Sequence, residues 1–164
     1  MIRRATVDDV PRMAEIHIFG WRCAYRGLVS DEILFKKMGV EKRIETFKKA
    51  IIENREETYV FEEEGIIKGF MTVGPCRNED KQSAFELWGI YIEPLMKRQG
   101  IGRRCVEYCE RIAQERGYKE NVLWVFEKNE TAKMFYERLG YKPDGKEALL
   151  EKYSAKEVRY IKKL

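Results

Sequence analysis

Ile90-Tyr91-Ile92-Glu93-Pro94-Leu95-Met96-Lys97-Arg98-Gln99-Gly100-Ile101-Gly102-Arg103-Arg104 is the stretch that decides the fold. A β-rich run ends at Pro94, passes through a basic loop with two glycines, and opens directly into an amphipathic helix. Backbone N–H groups at the start of a helix have no intrahelical acceptor, and the aligned peptide dipoles leave that end partly positive. Such a strand–loop–helix junction is a place for a phosphate. Gly100 and Gly102 let backbone approach an anion, while Lys97, Arg98, Arg103 and Arg104 add charge nearby. Two familiar phosphate loops are excluded. A Rossmann fingerprint needs a third glycine where Cys105 stands, and no Gly-Lys-Ser or Gly-Lys-Thr of a P-loop occurs.

Outward from this junction the chain alternates in type. Upstream, Ile2 to Ala5 reads as a first strand and Thr6 to Asp9 resembles a capping box, so a helix is expected to begin there and end near Gly20 or a few residues later. Val10, Met13, Ala14, His17, Ile18 and Trp21 form its apolar stripe. Asp31 to Lys37 and Val40 to Asn54 read as further helix. Thr58 to Phe61 and Ile66 to Val73 form a hairpin, and Ala84 to Ile92 a third long strand. Downstream, a helix from about Gly100 to Arg116 is followed by a strand at Asn121 to Phe126. Asn129 to Leu139 is a helix ended by Gly140, and Lys146 to Leu150 with Glu157 to Ile161 make a closing strand pair. The order is β-α-α-β-β-β-α-β-α-β-β, an α/β (α+β) protein whose residues 1–164 are expected to form one domain.

Composition narrows the classes of function. The 164 residues carry 32 Lys and Arg against 28 Asp and Glu, a surplus of +4 with the signs interleaved, so nucleic acid is not the expected partner. No apolar run reaches the roughly 18 to 20 residues that span a bilayer, and no signal-peptide pattern follows Met1, which points to a cytoplasmic protein without a membrane partner. Cys23, Cys76, Cys105 and Cys109 have neither zinc-knuckle nor thioredoxin spacing. Cys105 and Cys109 are expected as small buried side chains on one helix face, and no metal site is expected.

The segment Lys97-Arg98-Gln99-Gly100-Ile101-Gly102 resembles the acyl-CoA pyrophosphate loop of the GNAT superfamily of N-acyltransferases. That loop runs Arg or Gln, two residues, Gly, one residue, then Gly or Ala. Lys97 stands where the family has Gln or Arg, a departure that touches a side chain more than a loop binding through backbone amides. Asn129-Glu130-Thr131-Ala132-Lys133-Met134-Phe135-Tyr136-Glu137-Arg138-Leu139-Gly140-Tyr141 resembles a second family segment, Asn-x-x-Ala-x-x-Phe-Tyr-x-x-x-Gly-aromatic. The resemblance is specific over Ala84 to Lys142. It implies a mixed, mostly antiparallel central sheet flanked by helices and splayed where acyl-CoA enters.

The resemblance also implies roles. Backbone groups of Ile90, Tyr91 and Ile92 would face the pantetheine and acyl carbonyl, and Lys97, Arg98, Gln99, Gly100, Ile101, Gly102 and Arg103 would surround the pyrophosphate. Asn129 would contact the pantetheine region. Tyr136 falls on the family's general-acid tyrosine, set to protonate the departing thiolate; the other reading is a tyrosine that packs on the apolar helix face with its hydroxyl bonded locally. Some members carry a base on the strand that here holds Glu86, so Glu86 is either that base or a salt-bridged strand carboxylate. Strict alternation places Glu86, Trp88, Ile90 and Ile92 on one face. Trp21 and Tyr25, four apart, would form an aromatic wall of the acceptor pocket. His17, the single histidine, is expected as a partly buried helix residue.

The expected activity is transfer of an acetyl group from acetyl-CoA to a primary amine by direct attack in a ternary complex, with a small-molecule amine or a protein amino group as acceptor. Two rivals stay open: an acyl-CoA-binding sensor or docking module without turnover, and a nucleic-acid binder using the basic loop. A homodimer is compatible with the resemblance.

Overall fold

A computed structural model describes all residues, 1–164. Seven strands form one sheet in the order β1-β2-β3-β4-β5-β7-β6. They are β1 (Ile2–Arg4), β2 (Glu57–Glu63), β3 (Ile66–Pro75), β4 (Phe85–Ile92), β5 (Glu120–Phe126), β6 (Lys142–Leu150) and β7 (Ala155–Lys163). Every neighbouring pair is antiparallel except β4 and β5, which run parallel. The helices are α1 (Val10–Tyr25), α2 (Val40–Ile52), α3 (Ile101–Glu115) and α4 (Glu130–Arg138).

The first helix begins as the sequence signal requires. The Asp9 carboxylate accepts from the Thr6 N–H at 2.7 Å and from the Thr6 hydroxyl at 3.0 Å, and Arg3 clamps the same carboxylate from β1. A turn of 3-10 helix at Val7–Asp9 leads into α1, which runs through Gly20 and ends at Tyr25, a few residues past the glycine as expected. Gly20 has an open surround and helical neighbours on both sides, so the cost of one helical glycine is outweighed by burial of the adjacent Trp21. The segment expected as helix at Asp31 to Lys37 is a π-helical turn over Glu32–Lys37. Its one fully buried residue, Leu34, packs with Trp21, Val29 and Phe126.

The two faces of the sheet carry separate cores. α3 presents Ile101, Cys105, Val106, Cys109, Ile112 and Ala113 to Phe61, Met71, Val73, Phe85, Leu87, Leu123, Val125 and Tyr160. Cys105 and Cys109 are thus buried packing residues, and desolvation raises both thiols to about 12. α1 and α2 cover the opposite face at Val60, Phe70 and Tyr91.

One expectation about the third long strand fails. Opposite β3, Thr72 pairs with Gly89 and Val73 with Leu87, so Trp88 is an extra residue, a β-bulge. The bulge resets the alternation. Ile90 and Ile92 pack against the same core as Phe85 and Leu87, whereas Tyr91 joins the clusters on the α1 side. Glu86 therefore does not share a face with Ile90 and Ile92. Gly74 makes the bulge possible, since a Cβ there would lie 2.7 Å from the Trp88 ring.

Candidate active site

β4 and β5 are neighbours only over Phe85↔Asn121, Glu86↔Val122 and Leu87↔Leu123. Past Leu87 they diverge. β4 continues to Ile92 on β3, and β5 continues to Phe126 on β7, so the facing edges of Trp88–Ile92 and Trp124–Phe126 have no strand partner. The result is a wedge lined by backbone donors and acceptors, which must be satisfied by something other than sheet. Ile90, Tyr91 and Ile92 lie along it.

At the end of β4 the chain turns through Pro94–Met96 and enters the basic loop. None of the backbone N–H groups from Lys97 to Arg103 donates to an acceptor in the protein; the first to do so is Arg104, to the Gly100 carbonyl at 3.1 Å. Arg98 and Gly100 hold positive φ, 65° and 78°, and curl this run of donors around the N-terminus of α3. Such a concave run of N–H groups at a positive helix end is an anion cradle. Lys97, Arg98, Gln99 and Arg103 are exposed around it. The two glycines differ in purpose. Gly100 takes the left-handed conformation that a side chain resists, whereas Gly102 lies against α4, where a Cβ would sit 3.1 Å from Phe135 Cζ.

Tyr136 lies on α4 with its ring in the core shared with α3, 6.0 Å from Tyr141 between centroids. Only His17 Nδ1 and Trp21 Nε1 are sealed side-chain polar atoms without a partner, so the Tyr136 hydroxyl, which makes no hydrogen bond in the protein, is not fully sealed even though the residue is buried. Burial, with the Tyr25 and Tyr91 hydroxyls nearby, pushes its pKa above the usual tyrosine value and keeps it protonated. Asn129 caps α4, its side chain accepting from the Ala132 N–H at 3.2 Å.

Glu86 is buried to 1 % exposure, and both oxygens are engaged by Arg77: Nη2 to Oε1 at 2.5 Å, the backbone N–H to Oε2 at 2.9 Å. The Arg77 guanidinium carbon lies over Trp88, 4.6 Å from the ring centroid. A second carboxylate faces this pair. Glu157 on β7 pairs with Phe126 on β5; its carboxylate makes no hydrogen bond or salt bridge, and its pKa is raised by burial, with Arg77 and Glu86 as charged neighbours.

Trp21 and Tyr25 pack together in a cluster with Phe126, Val29 and Leu34. Their rings lie 4.6 Å apart and meet Phe126, which is 4.7 Å from Tyr25. His17 stands one helical turn before Trp21, buried against Tyr91 at 4.5 Å and Phe47 at 5.6 Å. Burial and the Arg43 guanidinium pull its pKa down to about 3, so the imidazole is neutral through the physiological range. Between α1, α2 and β4 a cavity of about 180 Å³ opens onto Gly89, with His17, Phe47, Phe70, Trp88 and Tyr91 as its aromatic lining.

The model of the acetyltransferase (GNAT) family matches residues 11–141. The chain belongs to that family. Among curated relatives, it is 25% identical over 147 residues to the uncharacterized N-acetyltransferase YuaI of Bacillus subtilis, covering 87% of this chain and 79% of the relative. It is 23% identical to a spermidine N(1)-acetyltransferase of Thermoplasma acidophilum, over 92% of this chain and 95% of that one. Among solved structures, a PaiA N-acetyltransferase from Thermoplasma acidophilum in complex with coenzyme A superposes with a TM-score of 0.82 at 21% identity, covering 100% and 98% of the two chains. The last likeness is one of fold.

Within this GNAT domain, sequence reasoning missed Arg77, Glu157, Arg43 and Phe126. Arg77 lies between two of the expected strands and Glu157 in the closing strand pair, and their meeting depends on β7 inserting between β5 and β6. Arg43 sits among other charges on α2, and only the docking of α2 turns it inward. Phe126 was visible as a strand residue, but its contact with Trp21 and Tyr25 depends on the wedge.

Proposed function

We propose that this GNAT protein transfers the acetyl group of acetyl-CoA to a primary amine by direct attack in a ternary complex. The observation that carries the proposal is the cradle of unengaged N–H groups from Lys97 to Arg103, which fits a pyrophosphate, at the end of a strand whose free edge fits an amide-bearing pantetheine arm. Peptide-like groups of the arm would complete the pairing that β4 and β5 leave open at Ile90, Tyr91 and Ile92. Asn129 would add a polar contact where α4 begins.

The acetyl carbonyl would then lie near the Trp88 bulge, where a backbone N–H of the open β4 edge would meet charge developing on the carbonyl oxygen. The amine attacks that carbon from the side of Trp21, Tyr25 and the His17-lined cavity, the C–N bond forms, and the C–S bond breaks. Tyr136, protonated and reachable, donates its proton to the departing thiolate. The amine's proton leaves by way of water toward the Glu86–Arg77–Glu157 cluster. Within that cluster Glu86 fixes Arg77, and Glu157 is the carboxylate with free lone pairs. No covalent acyl-enzyme is needed. Cys76, the thiol nearest to this cluster, is buried beside Asn78 with its pKa raised by desolvation, a poor nucleophile.

Thiol release from acetyl-CoA, followed while a panel of primary amines is added, tests the proposal. Amine-dependent release supports it. Binding of acetyl-CoA without release on any amine would replace it with a non-catalytic acyl-CoA sensor.

A further inference from the structure

The cavity beside Gly89 holds an unusual arginine. Of the arginines that are not exposed, Arg3, Arg12, Arg22 and Arg159 each engage a carboxylate or a backbone carbonyl. Arg43 engages neither. It lies along Phe47, 5.4 Å from the ring, and its charge is felt by both His17 and Tyr91, which places the guanidinium over the cavity that these residues line. Holding a guanidinium half-buried with its donors unused costs free energy unless a partner arrives.

The rest of the lining says what that partner is. His17 is 4 % exposed, lines the cavity, and has an Nδ1 with no partner. It carries no charge, so it neither competes with nor replaces Arg43. Arg77 is already matched by Glu86. Glu56 lines the same cavity and makes no side-chain ion pair. The cavity therefore offers one free positive and one free negative group beside an apolar ring wall. A polyamine, which is cationic along its length, would place an ammonium against Arg43. A molecule with charges of both signs would not.

Given the acetyl transfer proposed above, on which this assignment rests, we infer that the acceptor is an amino acid, its carboxylate held by Arg43 and its free amine delivered to the wedge at Gly89. Arg43 is then a specificity-determining residue, and the spermidine-acetylating relative marks a different choice of acceptor on the same fold.

Ornithine and putrescine share a carbon chain and differ by one carboxylate, so they isolate the contact. Each is titrated calorimetrically into the CoA-loaded protein, wild type and Arg43→Gln, with thiol release from acetyl-CoA followed in parallel. The expected result is ornithine bound roughly tenfold or more tightly than putrescine by the wild type, with that preference abolished in Arg43→Gln. Lysine and cadaverine repeat the comparison one methylene longer. Equal or tighter binding of the diamines, no binding of either amino acid, or a preference that survives Arg43→Gln overturns the assignment. Arg43 is half-exposed on α2, so circular dichroism should show the variant folded, and Arg43→Lys should retain part of the preference. Arg43-dependent binding of ornithine without thiol release would uphold the acceptor assignment and overturn the transfer reaction.

Discussion

Gly102 and Phe135 touch across the two helices on one face of the sheet, so closely that a single added methyl on Gly102 would lie 3.1 Å from Phe135 Cζ. Through this contact the helix that opens the anion cradle is seated on the helix that carries Tyr136. Gly102→Ala is expected to weaken acetyl-CoA binding by shifting the start of α3, and Gly102→Leu to destabilise the fold by about 1–3 kcal/mol, the usual cost of overpacking. Because the obstacle is one ring, Phe135→Ala should restore binding to Gly102→Ala. A double-mutant cycle showing simple additivity would remove the contact from the account.

Tyr136→Phe keeps the ring in its core position and deletes only the hydroxyl. The expected outcome is a fall in kcat of ~10²-fold or more, with the dissociation constant for acetyl-CoA unchanged. Retained turnover in a folded variant would leave Tyr136 as a packing residue.

The carboxylate cluster predicts a pH response. Burial raises the pKa of Glu157 above 4.5, so the folded protein prefers its protonated form. Its stabilising contribution is full below 4.5 and is lost as pH rises through the folded value. Glu157→Gln should therefore gain stability relative to wild type between acid and neutral pH, measured by chemical denaturation at each pH, and should flatten the acid limb of the pH–kcat/KM profile. Glu86→Gln should leave the position of that limb in place while lowering stability, because Arg77 loses the partner that holds it. A limb abolished by Glu86→Gln and untouched by Glu157→Gln would reverse the two roles.

Acid should also loosen the start of α1. Arg3 and the Thr6 donors hold the Asp9 carboxylate below its ordinary 3.8. The stabilisation is present above that value and disappears as pH falls through the lower, folded one. Asp9→Asn is expected to cost about 1 kcal/mol at neutral pH, in the range of a lost cap, and to remove that part of the acid dependence. An unchanged acid transition in the variant would show that Asp9 does not report it.

Much of this architecture was legible in local signals. The Thr6–Asp9 cap, the apolar stripe of α3 and the glycine-bearing junction each announce an element through contacts within a few residues, and each element forms where the chain requires it. What local signals could not show depends on residues far apart in the chain. The Trp88 bulge arises from Gly74 on the neighbouring strand, and it moved Glu86 off the face of Ile90 and Ile92. The π-helical turn at Glu32–Lys37 is shaped by burial of Leu34 against Trp21 and Phe126, which propensity within the segment does not encode. For the same reason the run of unengaged N–H groups at the start of α3 was readable from Lys97 to Arg103 alone, while the Arg77–Glu86–Glu157 cluster and the exposure of Arg43 to the cavity required the sheet to assemble.

The central claim is that the loop from Lys97 to Arg103 seats the pyrophosphate of acetyl-CoA. Calorimetric titration with acetyl-CoA, and separately with NAD and ATP, tests it most directly. The account predicts one acetyl-CoA bound per chain with a roughly micromolar dissociation constant, no comparable binding of NAD or ATP, and loss of acetyl-CoA binding in Gly100→Val, whose side chain resists the left-handed backbone at that position. Absence of acetyl-CoA binding to the folded wild-type protein would contradict it.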